Sequence, residues 1–544
     1  MKRALLLITL IGITFVGIFL RLRNIEKDLN FFGDSDRDVL VAKHIVLNRH
    51  FTDARPLASG GGSFLENSPH YFNFLAVLYF FGRSPEGTVS LLALLFCAGI
   101  PLSYIAGKSL GGERLGLAFA FVAATYYPLL EASNLIYQPS IVVSLSVFFT
   151  SLLFIGYARR SILALTAAAF VIPLCLHFHY SVLPLLVPSF FLFLIFPFSY
   201  RRESKKKVAI SLVPIAVFLL MILFWLLTIN NGLSLDKGLW NFLTKYIPQS
   251  GSHSFAVTTL SNRIDTFIYV VFRTTSPLAK LFSFVIVSGL FAISYVCRKK
   301  DLFNNTALLF LALLISIIFS FLSKDIFESY YSAYYFLFIC AVTYTIWFFS
   351  KKVSWIFFIL EIGVISIFWL IPVYKTFWLP WPSHIPSDRE SVSSIVELIL
   401  DDVKMNEPNV KIEEVMIIDK SMKDMYLGWV QPAYYFSLEE LTGKNLVEIN
   451  TSFRGWQHNN IRPLYSPKII YLTCTEEPHE TRNEIEIKQE CLKALHILEE
   501  DPFVGDYYNF TGSLSYLNEL QSMPIIERKT YILKFAVAQK ATTD

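Results

Sequence analysis

Apolar runs long enough to cross a lipid bilayer recur through the first two-thirds of the chain, and this feature restricts its fold more than any other. Eleven candidate spans stand at 4–20, 88–106, 116–130, 139–157, 162–176, 181–198, 208–229, 281–297, 306–322, 333–349 and 353–374. A helix rises 1.5 Å per residue, so runs of about 17–22 residues match a hydrocarbon core of roughly 30 Å. Backbone amides in that core must bond within their own segment, which leaves helices as the spanning form for apolar runs of this length. Only 17% of the residues are charged, against about 25% in an ordinary soluble domain. The first run follows Lys2 and Arg3 as a signal peptide would. Arg21 and Arg23 stand where a small-residue cleavage site belongs, so it reads as a retained first span.

The basic residues orient the bundle. With the N-terminus in the cytoplasm, every inner segment is basic: Lys2 and Arg3; Lys108 and Arg114; Arg159 and Arg160; Arg201, Arg202 and Lys205–Lys207; Arg298–Lys300; Lys351 and Lys352. This is the asymmetry that fixes membrane topology. Most short outer connections lack Lys and Arg, with Arg21, Arg23 and Lys27 as exceptions. An odd number of spans places the C-terminus outside. The expected localisation is a multi-pass protein of the cytoplasmic membrane with an extracytoplasmic C-terminal domain. A net charge of +4 gives no ground for a nucleic-acid partner.

Two outer segments, about 21–87 and about 230–280, exceed ordinary connections, and long ordered loops usually carry function. The first holds Gly33-Asp34-Ser35-Asp36-Arg37-Asp38, a helix-like run Val39–Leu47, Gly60-Gly61-Gly62 and Pro69-His70-Tyr71-Phe72. The second holds the short apolar run Ile264–Phe272 between Arg263 and Arg273. Beyond 374 the composition becomes mixed and charged. Ser387-Asp388-Arg389-Glu390 reads as a capping box before an amphipathic helix, Ser391–Lys404. Val415–Ile418, Lys468–Thr473 and Tyr531–Val537 read as strands. The expected architecture is an all-α membrane bundle over 1–374 and a small α/β or α+β domain over 375–544. Cys474 and Cys491 fall in that domain, where a disulfide and two free thiols are both open.

Candidate chemistry gathers on the outer face. Asp34, Asp36 and Asp38 lie where the first span leaves the membrane, and a carboxylate shielded from water there can act as a general base. Asp34 and Asp38 are four apart, so a helix places them on one face. Carboxylates also suit a hard divalent ion, and a solvated acidic loop is the plain alternative. His177 and His179 supply two metal ligands at most, which is not a metal site. Packing with Tyr180 accounts for them, and hydrogen bonding to substrate is the other option. Arg263, Arg273 and Lys280 can hold lipid phosphates or simply snorkel to the interface. Glu361 is an acid inside the last span, first a network residue and second a catalytic one. No phosphate-binding loop, dinucleotide glycine motif or CxxC pair is present, and the inner loops are too short for a nucleotide-sugar site.

The set of motifs resembles the GT-C class of membrane glycosyltransferases, in particular bacterial dolichyl-phosphate-mannose–protein mannosyltransferase and aminoarabinose transferase-like proteins. Asp34-Ser35-Asp36-Arg37-Asp38 resembles the acidic motif that opens their first outer loop. Ser68-Pro69-His70-Tyr71-Phe72 is similar to their Gly-Pro-x-Tyr-Tyr-like element, Gln138-Pro139 to an Asn-Pro pair, and His177-Phe178-His179 to a Gln-x-His pattern. The resemblance covers about 1–374. It implies an inverting hexosyl or pentosyl transferase that uses a polyprenyl-phosphate sugar, with a lipid, glycan or protein acceptor. Asp34 would take the acceptor proton, with Asp36 and Asp38 as further catalytic candidates. Asp38 would orient the acceptor or Arg37. Pro69, Tyr71, His179 and Gln138 would line the substrate cavity, and Arg37, Arg273 and Lys280 would meet the substrate. Ser35 stands where the class usually has a second acid, so no metal or other cofactor is expected.

Other classes also fit parts of the pattern. A transporter or flippase of lipid-linked glycans fits the bundle and Glu361, but not the acidic first loop or the lack of internal repeats. An O-antigen polymerase or ligase works on similar substrates but usually has its large outer loop late in the chain. A receptor-like or scaffolding protein would leave the acidic loop incidental.

Overall fold

The computed structural model describes residues 2–23, 25, 34–52, 68–200, 204–230, 262, 264–269, 277–297, 305–317, 328–350, 389–419, 432–449, 461–465, 467–475, 512–525 and 528–539. The chain forms two compact units. The first comprises Met1–Arg23, Arg55–Tyr71 and Gly87–Trp378; the second comprises Asn24–Ala54, Phe72–Glu86 and Leu379–Asp544. Much of the first long loop thus groups with the C-terminal region. The boundary expected at 374/375, Glu361, Arg263, Arg273 and the last apolar run, 353–374, lie outside the described residues.

The first unit is helical. Among the described residues, seven helices are long and apolar enough to cross a bilayer: Arg3–Leu22, Pro85–Gly111, Gln138–Arg159, Tyr180–Tyr200, Lys205–Thr228, Ala279–Val296 and Tyr331–Ser350. Glu113–Thr125 and Tyr127–Ser133 make an eighth if the 47° bend between them is counted as one broken span. Each coincides with an expected run. Ile162–His177 is apolar but shorter, and the run expected at 306–322 is represented by a helix at Thr306–Leu314. Among the described residues, seven or eight helices are therefore long and apolar enough to cross, against the eleven runs expected.

Sequence chemistry explains where these helices turn and meet. Gly112, at φ 85°, reverses the chain between Gly99–Gly111 and Glu113–Thr125. A Cβ added at Gly107 would stand 2.5 Å from the Leu115 carbonyl oxygen, so these two helices approach backbone to backbone as small residues allow. The bend at Tyr126 has a specific cost. Four residues after Ala124 comes Pro128, which has no N–H to return to the Ala124 carbonyl. Arg21, 3% exposed, supplies a donor to Ala124 O: one guanidinium nitrogen reaches it and Gly17 O at 3.0 Å, and the other reaches Ala123 O, also at the end of the broken helix, at 2.9 Å. The arginine that broke the charge pattern of the outer connections is therefore a backbone-satisfying group.

In the second unit a four-stranded sheet carries the order β1-β4-β6-β5, with β1 at Val415–Asp419, β4 at Ile469–Thr475, β5 at Gly512–Ile525 and β6 at Arg528–Gln539. β1 and β4 are parallel, with Ile417 opposite Tyr471; β4–β6 and β6–β5 are antiparallel. A separate ribbon pairs β2, Val447–Ile449, with β3, Ile461–Pro463. Ile417, Ile418, Ile470, Leu472 and Ile532 are fully buried. The helix Arg389–Asn406 buries Val392, Ile395, Val396 and Ile399, the 3.6-residue stripe of an amphipathic helix. The buried Lys534 amine lies 2.7 Å from Asp402 and 2.9 Å from Glu407, and Tyr471 Oη donates to Asp402 at 2.6 Å. The expected helix and three expected strands fall within these elements; the helix Pro432–Thr442 and strand β5 were not anticipated. Cys474 is disulfide-bonded, and Cys97, Cys175, Cys297 and Cys340 are free.

Candidate functional site

The acidic motif is helical from its first residue. Asp34 opens the helix Asp34–Asn48, so the expected run at 39–47 extends back through all three carboxylates. Acidic residues suit the positive end of a helix dipole. The Asp34 side chain lies outside the described residues. Asp36, Arg37 and Asp38 are buried. Asp36 Oδ1 accepts the Arg37 backbone N–H at 2.6 Å, and Oδ2 accepts the Ala433 N–H at 3.0 Å. Ala433 is the second residue of Pro432–Thr442, so Asp36 caps that helix from 397 residues away in sequence. Capping groups of this kind contribute about 1 kcal/mol. Asp38 Oδ1 accepts the Arg37 Nε–H at 2.7 Å and forms an ion pair with the same guanidinium. Arg37 also lies 6.0 Å from the centroid of the Phe72 ring.

One turn and more further along, the same helix meets the same partner. Glu439 Oε2 lies 3.1 Å from Lys43 Nζ, and both Glu439 oxygens lie 3.1 Å from His44 Nε2. Glu439 Oε1 also accepts the Leu446 N–H at 2.8 Å. Burial alone would raise the Glu439 carboxyl above its ordinary range. The hydrogen bond and charge of His44, then Lys43 and the Leu446 amide, outweigh it and hold the group below that range. Lys43 further lies 4.7 Å from the Phe436 ring centroid. Lys43, His44 and Glu439 were not singled out in the sequence. A signal was present: Asp36–Lys43 and Arg37–His44 repeat at seven residues, which puts the four polar groups on two neighbouring stripes of the helix.

The other expected site residues belong to the first unit, apart from Arg273, whose surroundings are not described. Ser68 Oγ accepts the His70 N–H at 3.3 Å, and Pro69 follows at the position where helices tolerate proline, so Ser68-Pro69 starts the helix His70–Gly82. Pro69 and Tyr71 are buried. Gln138, 4% exposed, opens the helix Gln138–Arg159 with Pro139 behind it. His179 Nδ1 accepts the Ser181 N–H at 3.2 Å and so caps the short turn Tyr180–Val182. Ser181 Oγ is 2.7 Å from Ser332 Oγ. Lys280 is half-exposed and ion-paired with Asp265. His177 is fully buried, in ring contact with His70 at 5.0 Å and with Phe224 at 5.2 Å. Among the described residues, no three His, Cys, Asp or Glu side chains are grouped to hold a metal.

The helical unit and the sheet-bearing unit share their fold with solved membrane proteins. The particular likeness is to ArnT from Cupriavidus metallidurans, solved bound to undecaprenyl phosphate, with a TM-score of 0.53 over 97% of both chains at 12% sequence identity. The archaeal oligosaccharyltransferase AglB from Archaeoglobus fulgidus, solved with an inhibitory peptide and a dolichol-phosphate, aligns over 95% of this chain and 73% of its own, at 12% identity and a TM-score of 0.47. No protein-family model and no curated protein sequence matches the chain.

Proposed function

We propose that this multi-pass membrane protein is an inverting glycosyltransferase that moves a sugar from a polyprenyl-phosphate donor to an acceptor hydroxyl on the outer face of the cytoplasmic membrane. The observation that carries this reading is the fold shared with ArnT along 97% of both chains, C-terminal region included. That relative was solved with undecaprenyl phosphate bound, which supports a polyprenyl-phosphate donor here. The basic inner segments support a cytoplasmic N-terminus and an outer C-terminal region.

In this scheme the acceptor oxygen attacks the anomeric carbon from the face opposite the lipid phosphate. The carbon–oxygen bond to phosphate breaks, its electron pair leaves with the lipid phosphate, and the configuration inverts. The acceptor proton passes to the Asp34 carboxylate. Cations near the departing phosphate stabilise its charge, a role for which Arg273 and Lys280 are the candidates. Asp36 and Asp38 serve Asp34 indirectly: one anchors the helix through Ala433, the other fixes Arg37. The scheme uses no metal or other cofactor.

The test is label transfer from radiolabelled polyprenyl-phosphate sugars by purified protein, wild type against Asp34→Asn at matched folding. General-base loss lowers turnover by at least about 100-fold. Equal turnover in both proteins would move the base away from Asp34, and release of label in neither with any donor and acceptor pair would remove the transferase reading.

A further inference from the structure

His177 stands out among the buried polar side chains of the first unit. It is 0% exposed, yet neither ring nitrogen has a hydrogen-bond partner among the described residues. A buried polar group left unbonded is costly, so a retained one calls for an explanation. His179, the histidine expected to face substrate, has its Nδ1 engaged by Ser181. The two histidines of the His-Phe-His element therefore differ: His179 caps a turn, and His177 holds donor and acceptor capacity in reserve.

The surroundings of His177 define what it can take. His70 lies against it at 5.0 Å between centroids, and Phe224 lies against both rings, 5.2 Å from His177 and stacked on His70 at 5.6 Å. An imidazole shut away from water beside a second imidazole is held neutral, with one N–H and one lone pair. Phosphate at this pH only accepts hydrogen bonds, so it would leave the bare nitrogen unmatched. A metal ion needs further ligands, and no third metal-ligating group joins the pair among the described residues. A hydroxyl both donates and accepts, and so matches a neutral imidazole. The aromatic rings supply a surface for the carbon skeleton that bears it. Phe224 is 47% exposed on the helix Val213–Asn230, so the aromatic partner of the pair reaches the surface of the unit.

We propose that His177, paired with His70 beneath Phe224, recognises a hydroxyl group of a sugar-bearing ligand and sets specificity for it. The inference rests on the transferase reading above and deepens it. The hydroxyl belongs either to the sugar of the lipid-linked donor or to the acceptor.

The test uses the full chain in nanodiscs with undecaprenyl phosphate and undecaprenyl-phosphate hexose as probes, and wild type, His177→Leu and His177→Gln as proteins. Loss of one hydrogen bond of about 1.4 kcal/mol is tenfold in affinity. If the donor sugar supplies the hydroxyl, His177→Leu weakens the hexose lipid about tenfold, leaves undecaprenyl phosphate unchanged, and His177→Gln restores most of the loss. If the acceptor supplies it, both lipid affinities stay constant and the acceptor KM rises about tenfold at unchanged kcat. In either case His177→Leu raises the melting temperature of the ligand-free protein, because it removes an unbonded polar group. Equal weakening of both lipids would overturn the proposal in favour of a phosphate or packing role, and no change in either affinity or in acceptor KM would overturn it outright. Failure of wild type to bind either lipid would instead remove the transferase reading beneath it.

Discussion

The two units handle buried charge in opposite ways. In the first, Arg21 spends its guanidinium on three backbone carbonyls. In the second, buried cations face carboxylates: Arg37 with Asp38, Lys43 with Glu439, Lys534 with Asp402 and Glu407. The difference follows from solvent. A break in a membrane helix leaves carbonyls that no water can reach, and a long cation is the donor that can span the gap. In the sheet-bearing unit the backbone is satisfied by ladders and helices, so buried charges must find one another. The lesson is that a lone arginine beside a span need not mark topology or substrate; a Pro four residues after a carbonyl can be its reason.

The largest expected effect tests the first half of this contrast. Arg21→Leu leaves the Ala123 and Ala124 carbonyls without donors, a loss of about 4 kcal/mol at about 2 kcal/mol each. It should appear as a marked fall in the melting temperature of the detergent-solubilised chain. Arg21→Lys should recover only part, because one ammonium cannot bridge the same three oxygens. No second substitution at an acidic residue should rescue it.

Next in size is Lys534→Met, which strips a cation from Asp402 and Glu407 and costs about 3 kcal/mol. Here a second substitution should rescue. Adding Asp402→Asn should return a good part of the stability, and the double-mutant cycle should be strongly non-additive. Additivity in this cycle would erase the distinction between the units.

Acid should separate them as well. For Asp402, burial pushes the carboxyl up, but hydrogen bonds from Lys534, Tyr471 and Asn406 outweigh it and leave it below its usual range, as at Glu439. A carboxyl depressed in the folded state adds stability that is complete above its unfolded pKa, about 4. That stability is lost as pH falls through the lower folded value. Hydrogen exchange in 34–48 and 389–406 should therefore quicken below about pH 4. Exchange around Ala123–Tyr126 should not follow, since a guanidinium and carbonyls do not titrate there.

The smallest effect is Asp36→Ala, which uncaps Pro432–Thr442 for about 1 kcal/mol. Faster exchange confined to the first turn of that helix would confirm a cap. A loss of transfer as large as that of Asp34→Asn, with exchange unchanged, would mean that Asp36 acts on substrate.

How much could be read beforehand varies with the range of the interaction. The spans were legible because length and apolarity are local, and the start of helix Gln138–Arg159 because Gln-Pro announces it. Helix Asp34–Asn48 was half-read: its apolar part was visible, but its acidic start looked like loop, since the partner that buries Asp36 is 397 residues away. His179 is expected in the cavity through the likeness of His177-Phe178-His179 to a Gln-x-His pattern, and the hydrogen bond it accepts from the Ser181 amide depends on turn geometry that residue type does not announce. Arg21 looked like a charge on the wrong side because Pro128, which makes it necessary, lies on another helix.

The link between Asp34–Asn48 and Pro432–Thr442 also sets a clock. Ribosomes add about 5–20 residues per second, so the first helix is made about 20–80 s before Glu439 and Ala433 exist to receive it. During that interval Lys43, His44 and Asp36 lack the partners that bury them. The helix bearing Asp34 then stays unmoored until the far end of the chain has been made. A nascent or truncated polypeptide would present the acidic motif without its mooring.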